Sequence, residues 1–193
     1  MGIKATAATC NIGGIDMFGH FPVMRYSAAA AMTLLVSGHF NSARAEFNIS
    51  NPSSGLVVDI VGGLPNDFQP VILFRSNGGK HQLFEQAVET DGSFSLVAQH
   101  TGNTCLDVVG AAQQDGVPVI QFRCHFGPNQ RWRSEPMGNG VILRSVSSRK
   151  CLDAGNADFP APPRSEARLQ QWTCITSAHD ANSVNQIFRL GGF

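Results

Sequence analysis

The sequence predicts an all-β domain assembled from three copies of one short-stranded unit, preceded by an export signal. Three observations carry this. Glycine (20) and proline (10) are plentiful, and no long amphipathic helical stretch interrupts them; that combination favours many short strands joined by turns. A segment repeats without gaps at a 48-residue offset. Each copy also closes on the same Gln-x-aromatic triplet.

Residues 55–75 read GLVVDIVGGLPNDFQPVILFR and residues 103–123 read NTCLDVVGAAQQDGVPVIQFR, which pairs Asp59 with Asp107, Gly62 with Gly110, Pro70 with Pro118 and Phe74 with Phe122. Downstream, HQLF (81–84) and NQRW (129–132) keep the same offset. A third, looser copy starts at KCLDAG (150–155), continues through RLQQWTC (168–174) and closes with NQIF (185–188). Its extra residues fall in a Pro-rich loop (Pro160, Pro162, Pro163) and between Ile175 and Val184. Both are places where loops absorb length at little entropic cost.

Each copy reads as four short strands. In the second these are SLVAQ, CLDVV, VPVIQFR and the segment ending in QRW, with turns at DG, TGN, QQDG and FGPN. One such unit cannot bury its own apolar face, so three packed around a pseudo-threefold axis form a closed core. The copies run over residues 47–190, and residues 46–193 are assigned to this one domain.

The first 45 residues differ from the rest. Met24-Arg25-Tyr26 is a short basic start, Ser27–Gly38 is a small and apolar run, and Ala43-Arg44-Ala45 offers a cleavage site of the A-x-A kind. This is the three-part layout of a secretory signal peptide, assigned to residues 24–45. The apolar run has 12 residues, too few for a membrane span of roughly 20. Residues 1–23 do not fit the layout and are expected to be an unstructured or non-native extension, with Met24 as the functional start. The expected location is therefore secreted or periplasmic, after cleavage near Ala45.

Of the five cysteines, Cys10 lies in the leader. The remaining four, Cys105, Cys124, Cys151 and Cys174, read as two disulfides in an exported chain. Three pairings are open to four cysteines, and the repeat selects one, because Cys105 and Cys124 occupy the places of Cys151 and Cys174. The first copy carries Val57 and Ser76 there.

Charge is balanced at 14 basic and 14 acidic residues, with no basic stripe to attract nucleic acid. No segment after the leader is apolar enough to insert into a membrane. No C-x-x-C, H-E-x-x-H, G-x-S-x-G or phosphate-binding glycine motif is present, so neither a metal, nor a cofactor, nor a catalytic constellation is expected.

The pattern of C-L-D, an aromatic two residues before a second Cys, and N-Q-x-W or N-Q-x-F resembles the ricin B-type lectin family. Its triplets here are Gln82-Leu83-Phe84, Gln130-Arg131-Trp132 and Gln186-Ile187-Phe188. The resemblance covers all three repeats and implies a β-trefoil that binds carbohydrate without catalysis. It further implies a site made of the C-L-D carboxylate, the aromatic as platform and the Asn as orienting amide. The chemistry suits a sugar, because a carboxylate accepts hydroxyl hydrogen bonds and a ring lies under the C–H face.

Carried over by position, the third repeat matches best, with Asp153, Gln170, Trp172, Asn185 and Gln186. The second keeps Asp107, Phe122, Asn129 and Gln130, with Ile120 in place of Gln170. The first keeps Asp59 and Phe74 but has Ile72 and His81 at the amide positions, and is expected to bind worst. Phe84, Trp132 and Phe188 are assigned to the core, and the triplet glutamines are open to either a supporting or a sugar-contacting role. The expected partners are glycans or glycoproteins, galactose-like sugars among them. An alternative is the receptor-binding subunit of a multi-chain toxin with a catalytic partner, since RSVSSRKC (144–151) is loosely similar to the accessory subunits of cytolethal distending toxin.

Overall fold

In a computed structural model, residues 45–155 and 163–191 are described. The expected extension (1–23), the signal peptide up to Arg44, and Pro160 and Pro162 of the third-repeat insertion lie outside the described residues.

Alternation along each strand sends one face inward and reserves the other for the site. In the second repeat Leu106 and Val108 join the central core, whereas Cys105 belongs to a small outer cluster and Asp107 shares its face. The first repeat comprises β1 (Ile49–Asn51), β2 (Leu56–Ile60), β3 (Gln69–Phe74) and β4 (Phe84–Val88). The second comprises β5 (Phe94–Ala98), β6 (Thr104–Val108), β7 (Val117–Arg123) and β8 (Trp132–Met137). The third comprises β9 (Gly140–Ser145), β10 (Cys151–Ala154), β11 (Leu169–Trp172) and β12 (Arg189–Leu190). Among the described residues the only helical segments are short 3-10 turns.

Among the described residues, all twelve strands belong to one antiparallel sheet. Neighbouring repeats are stitched by β4–β5, β8–β9 and β12–β1. The hairpins β2–β3, β6–β7 and β10–β11 meet around the pseudo-threefold axis, where β7 pairs with both β3 and β11 and an Ile72↔Arg168 bridge joins β3 to the start of β11. This closed arrangement is a β-trefoil, and closure removes the unpaired edges that three separate units would expose.

The triplet aromatics Phe84, Trp132 and Phe188 are each 0% exposed and pack in the same cluster as Val58, Leu106 and Leu152. Burying an aromatic or aliphatic side chain of this size contributes about 1.5–3 kcal/mol. One boundary differs from the sequence reading: the fourth strand of the second repeat starts at Trp132, and its Gln130 lies in a 3-10 turn over Pro128–Gln130. The turn forms because Gln130 accepts the His125 and Phe126 N–H groups at 2.8 and 3.0 Å, which bends the chain before the strand begins.

Both expected disulfides are present, Cys105–Cys124 and Cys151–Cys174, with Cα atoms 5.1 and 5.0 Å apart. Each staples the hairpin that carries a C-L-D carboxylate. At the entry to β1 the half-buried Asn48 amide donates to the Gln82 carbonyl at 2.9 Å.

Candidate functional site

The three carboxylates occupy equivalent places on the hairpins. Asp59, Asp107 and Asp153 sit directly across from Ile72, Ile120 and Gln170. All three are nearly buried, at 4%, 4% and 6% exposure. In each, burial raises the carboxyl pKa above the ordinary aspartate value, and hydrogen bonds from neighbouring amides offset part of that rise.

A glutamine bracket holds each carboxylate. Gln82, Gln130 and Gln186 are 0%, 0% and 2% exposed. Their Nε2 atoms donate to Asp59, Asp107 and Asp153 at 2.6, 2.8 and 3.0 Å, and also to the carbonyls of Arg75, Arg123 and Thr173. Their Oε1 atoms accept from the Asn77, His125 and Ile175 backbone N–H groups. Of the two roles open to these glutamines, the geometry displays support: each ties the carboxylate strand to the chain leaving the aromatic strand.

The third repeat brings all five of its sequence-predicted residues to one pocket of about 460 Å³. Asp153 Oδ1 accepts from Gln170 at 3.0 Å and Oδ2 accepts from Gln186 at 3.0 Å. An ionised carboxylate has about four lone-pair positions, so each oxygen keeps capacity for a ligand hydroxyl. Trp172 lines the pocket and is 44% exposed. Asn185 is 2% exposed, and its buried Oδ1 has no hydrogen-bond partner among the described residues. The insertion between Ile175 and Val184 forms the far wall through Ile175, Thr176 and Asp180.

The second repeat is more internally satisfied. Asn129 donates to both Asp107 oxygens at 3.0 Å, and His125 Nε2 lies 3.4 Å from Oδ2. Phe122 is half-buried and meets the ring of Phe68, from the first repeat, at 5.1 Å.

The first repeat has a pocket of its own. Asp59, Phe74 and His81 open onto a pocket of about 620 Å³, whose opposite wall is Glu166 and Arg168. His81 approaches Asp59 Oδ2 at 3.4 Å in place of an amide. Among the described residues Asp59 Oδ1 receives no hydrogen bond.

Phe68, Glu166 and Arg168 were missed by sequence reading because each lies in a different repeat from its neighbour: Phe68 meets Phe122 of the second repeat, and Glu166 and Arg168 line the pocket at Asp59 of the first. Asp115 is similar: it holds Thr173, beside Trp172, by its backbone N–H at 2.7 Å and pairs with Lys150. The available signal was the internal alignment itself, since Asp67 and Asp115 match at the 48-residue offset. Among the described residues no cluster of His, Cys, Asp and Glu is arranged to hold a metal.

The sequence matches the ricin-type beta-trefoil lectin domain over residues 45–186. The chain belongs to that family. No curated protein sequence matches it. The lectin domain is similar to the designed 3-fold symmetric protein ThreeFoil, at 31% identity and TM-score 0.66 over 77% of this chain and 99% of that one. It is similar at 24% identity and TM-score 0.66 to part of an exo-beta-1,3-galactanase from Clostridium thermocellum, covering 76% of this chain but only 30% of the enzyme. It is also similar to the Macrolepiota procera ricin B-like lectin, solved in complex with lactose, at 17% identity and TM-score 0.59 over 76% of this chain and 94% of that one. These last two likenesses, at under 25% identity, concern the fold. The lectin domain is thus a ricin B-type β-trefoil with two disulfides, of a family that binds carbohydrate.

Proposed function

We propose that the protein is a secreted, non-enzymatic lectin whose principal site is the third repeat and whose ligand is a galactose-like pyranose. The observation that supports this most is the convergence of Asp153, Gln170, Trp172 and Asn185 on one pocket. In this reading Asp153 accepts two sugar hydroxyls, Trp172 stacks on the C–H face, and Asn185 and Gln170 orient the ring. Gln186 and Gln130 act by positioning the carboxylates. Asp107, Phe122 and Asn129 form a second site, with fewer acceptor positions left on its carboxylate.

Export follows the signal peptide expected over residues 24–45, and two disulfides suit an oxidising compartment. A single shallow site of this kind binds near millimolar, about −4 kcal/mol. Useful affinity then comes from several sites engaging clustered glycans. The toxin-subunit alternative would leave the third-repeat pocket without a task, which favours the free lectin.

The test is a glycan-array screen of the oxidised chain with Asp153→Ala and Trp172→Ala beside it. Asp153→Ala strands the buried Gln186 amide and the half-buried Gln170 amide, so Trp172→Ala, a change at the surface, serves as the variant that folds. Glycan binding lost in both variants supports the assignment. Binding retained in both moves the site to Asp107 and Phe122, and silence from the folded wild-type chain on every glycan sinks the lectin reading.

A further inference from the structure

The corner before each aromatic strand carries a residue in the left-handed region: Phe68 (φ 67°), Gly116 (φ 79°) and Glu166 (φ 70°). Their backbone N–H groups make equivalent hydrogen bonds, to the carbonyls of Gln121, Gln171 and Leu73 at 2.8, 2.9 and 2.7 Å. Each acceptor directly precedes the platform aromatic of the next repeat: Phe122, Trp172 and Phe74. The corner residue of one repeat is therefore presented to the site of the following one. Phe68 meets Phe122 edge to face at 5.1 Å. Glu166 shares a pocket with Phe74. A Cβ placed on Gly116 would lie 3.5 Å from the Trp172 ring.

A left-handed corner suits glycine, and a bulky aromatic held there is strained. Such strain persists where the surroundings over-determine the backbone, and it gathers at functional sites. Here they do. The Gln121 side chain donates to the carbonyls of Leu64 and Asn66 at 3.0 and 2.7 Å, and Asp67 accepts the Arg123 N–H at 2.8 Å. Phe68 itself is 65% exposed, so the strain is not offset by burial in the core.

We propose that this corner residue sets which saccharide the following site accepts, and that Phe68 makes the second site selective for a pyranose bearing an apolar substituent. The proposal rests on the carbohydrate reading given above. The Phe68 and Phe122 rings touch edge to face, inclined at 70° with centroids 5.1 Å apart, and Phe68 is 65% exposed; in this proposal the pair offers a ligand two apolar surfaces at a steep angle. A sugar stacked on Phe122 presents its C–H face to one wall and projects a methyl group, from an N-acetyl or a deoxy position, at the other. Gly116 leaves the face of Trp172 open and imposes no such demand on the third site. Glu166 replaces the apolar wall with a carboxylate at the first.

The test is residue-resolved NMR titration of the full-length, oxidised protein with galactose, N-acetylgalactosamine and 6-deoxygalactose. Signals of Asp107 and Phe122 report the second site, and those of Asp153 and Trp172 the third. At the second site one of the two methyl-bearing sugars binds roughly three- to tenfold tighter than galactose, the gain expected of an aromatic contact, and the sugar that does so identifies the substituent. Phe68→Gly abolishes this preference without lowering the melting temperature, and leaves the third site unchanged. A preference that survives Phe68→Gly, or its absence from the wild-type protein, overturns the proposal. A second site silent to all three sugars while the third responds overturns the corner and spares the lectin reading; silence at every site sinks both.

Discussion

Asp153 and Gln170 face each other across the β10–β11 hairpin, and the Gln170 amide donates to Asp153 Oδ1 at 3.0 Å. The same cross-strand place is isoleucine in the other two repeats, Ile72 opposite Asp59 and Ile120 opposite Asp107. Gln170 thus aims the third carboxylate into its pocket with a hydrogen bond the others lack. Replacing Gln170 by Ile should weaken third-site binding about tenfold, since a hydrogen bond to a charged group contributes on the order of 1.5 kcal/mol or more. The fold should tolerate the change, as it tolerates Ile72 and Ile120. Calorimetric titration beside a thermal melt would check both, and unchanged affinity would show that Asp153 needs no such partner.

Binding should fall on acidification sooner than an exposed aspartate would dictate. Burial, aided by the charge of Asp115, lifts the Asp153 carboxyl, and the Gln170 and Gln186 amides lower it only in part. Accepting sugar hydroxyls requires the ionised form, so affinity is full at neutral pH and is lost through a midpoint above the ordinary aspartate value. The sign for stability runs the other way. A folded pKa above the unfolded one contributes stability that is present below the unfolded pKa and lost as pH rises through the folded value. Asp59, Asp107 and Asp153 therefore oppose acid unfolding, although acid abolishes their proposed function. Asp91, Asp115 and Glu135 are lowered by their hydrogen-bond partners and run the opposite way, so the check is the thermal stability of the wild type relative to Asp153→Asn: it should rise as sugar affinity falls on acidification, and a relative stability that fell with affinity would contradict this.

Trp132 is 0% exposed, but its buried indole N–H has no partner among the described residues. Its counterparts Phe84 and Phe188 are phenylalanines in the same core. Trp132→Phe should accordingly cost less than about 1.5 kcal/mol, because lost contact area is offset by removal of an unpaired donor. Trp132→Ala should cost about 3–5 kcal/mol through the cavity it leaves. Denaturant unfolding of both variants decides the matter, and equal losses would mean the indole nitrogen is satisfied.

The two disulfides should separate stability from binding. Each closes a hairpin loop of 19 or 23 residues, contributing about 3 kcal/mol in the chain-entropy view. Cys174 lines the third-repeat pocket and Cys124 does not. Paired Cys→Ala substitution at 105 and 124 should lower the melting temperature and spare third-site affinity. The same change at 151 and 174 should lower both, as followed by thermal melts and titration.

The repeat, the strand-rich character, the disulfide pairing and the identity of the C-L-D carboxylates were all legible in the sequence. These properties are local or periodic: alternation places Asp107 and Cys105 on one face of a strand, and copying at a fixed offset carries that assignment to the other repeats. The core role of Phe84, Trp132 and Phe188 followed for the same reason.

What the tertiary structure decided lies between repeats and within small hydrogen-bond choices. No alignment of one copy on another shows that Phe68 reaches Phe122, or that Glu166 and Arg168 wall the pocket at Asp59, because these contacts arise only when three hairpins close around an axis. Nor does the motif say how each amide is used. Asn129 turns inward to Asp107, Asn185 keeps a buried carbonyl oxygen unpaired, and the triplet glutamines are consumed as brackets. Type and spacing of residues determine which groups can meet; packing determines which of their few donors and acceptors remain for a ligand.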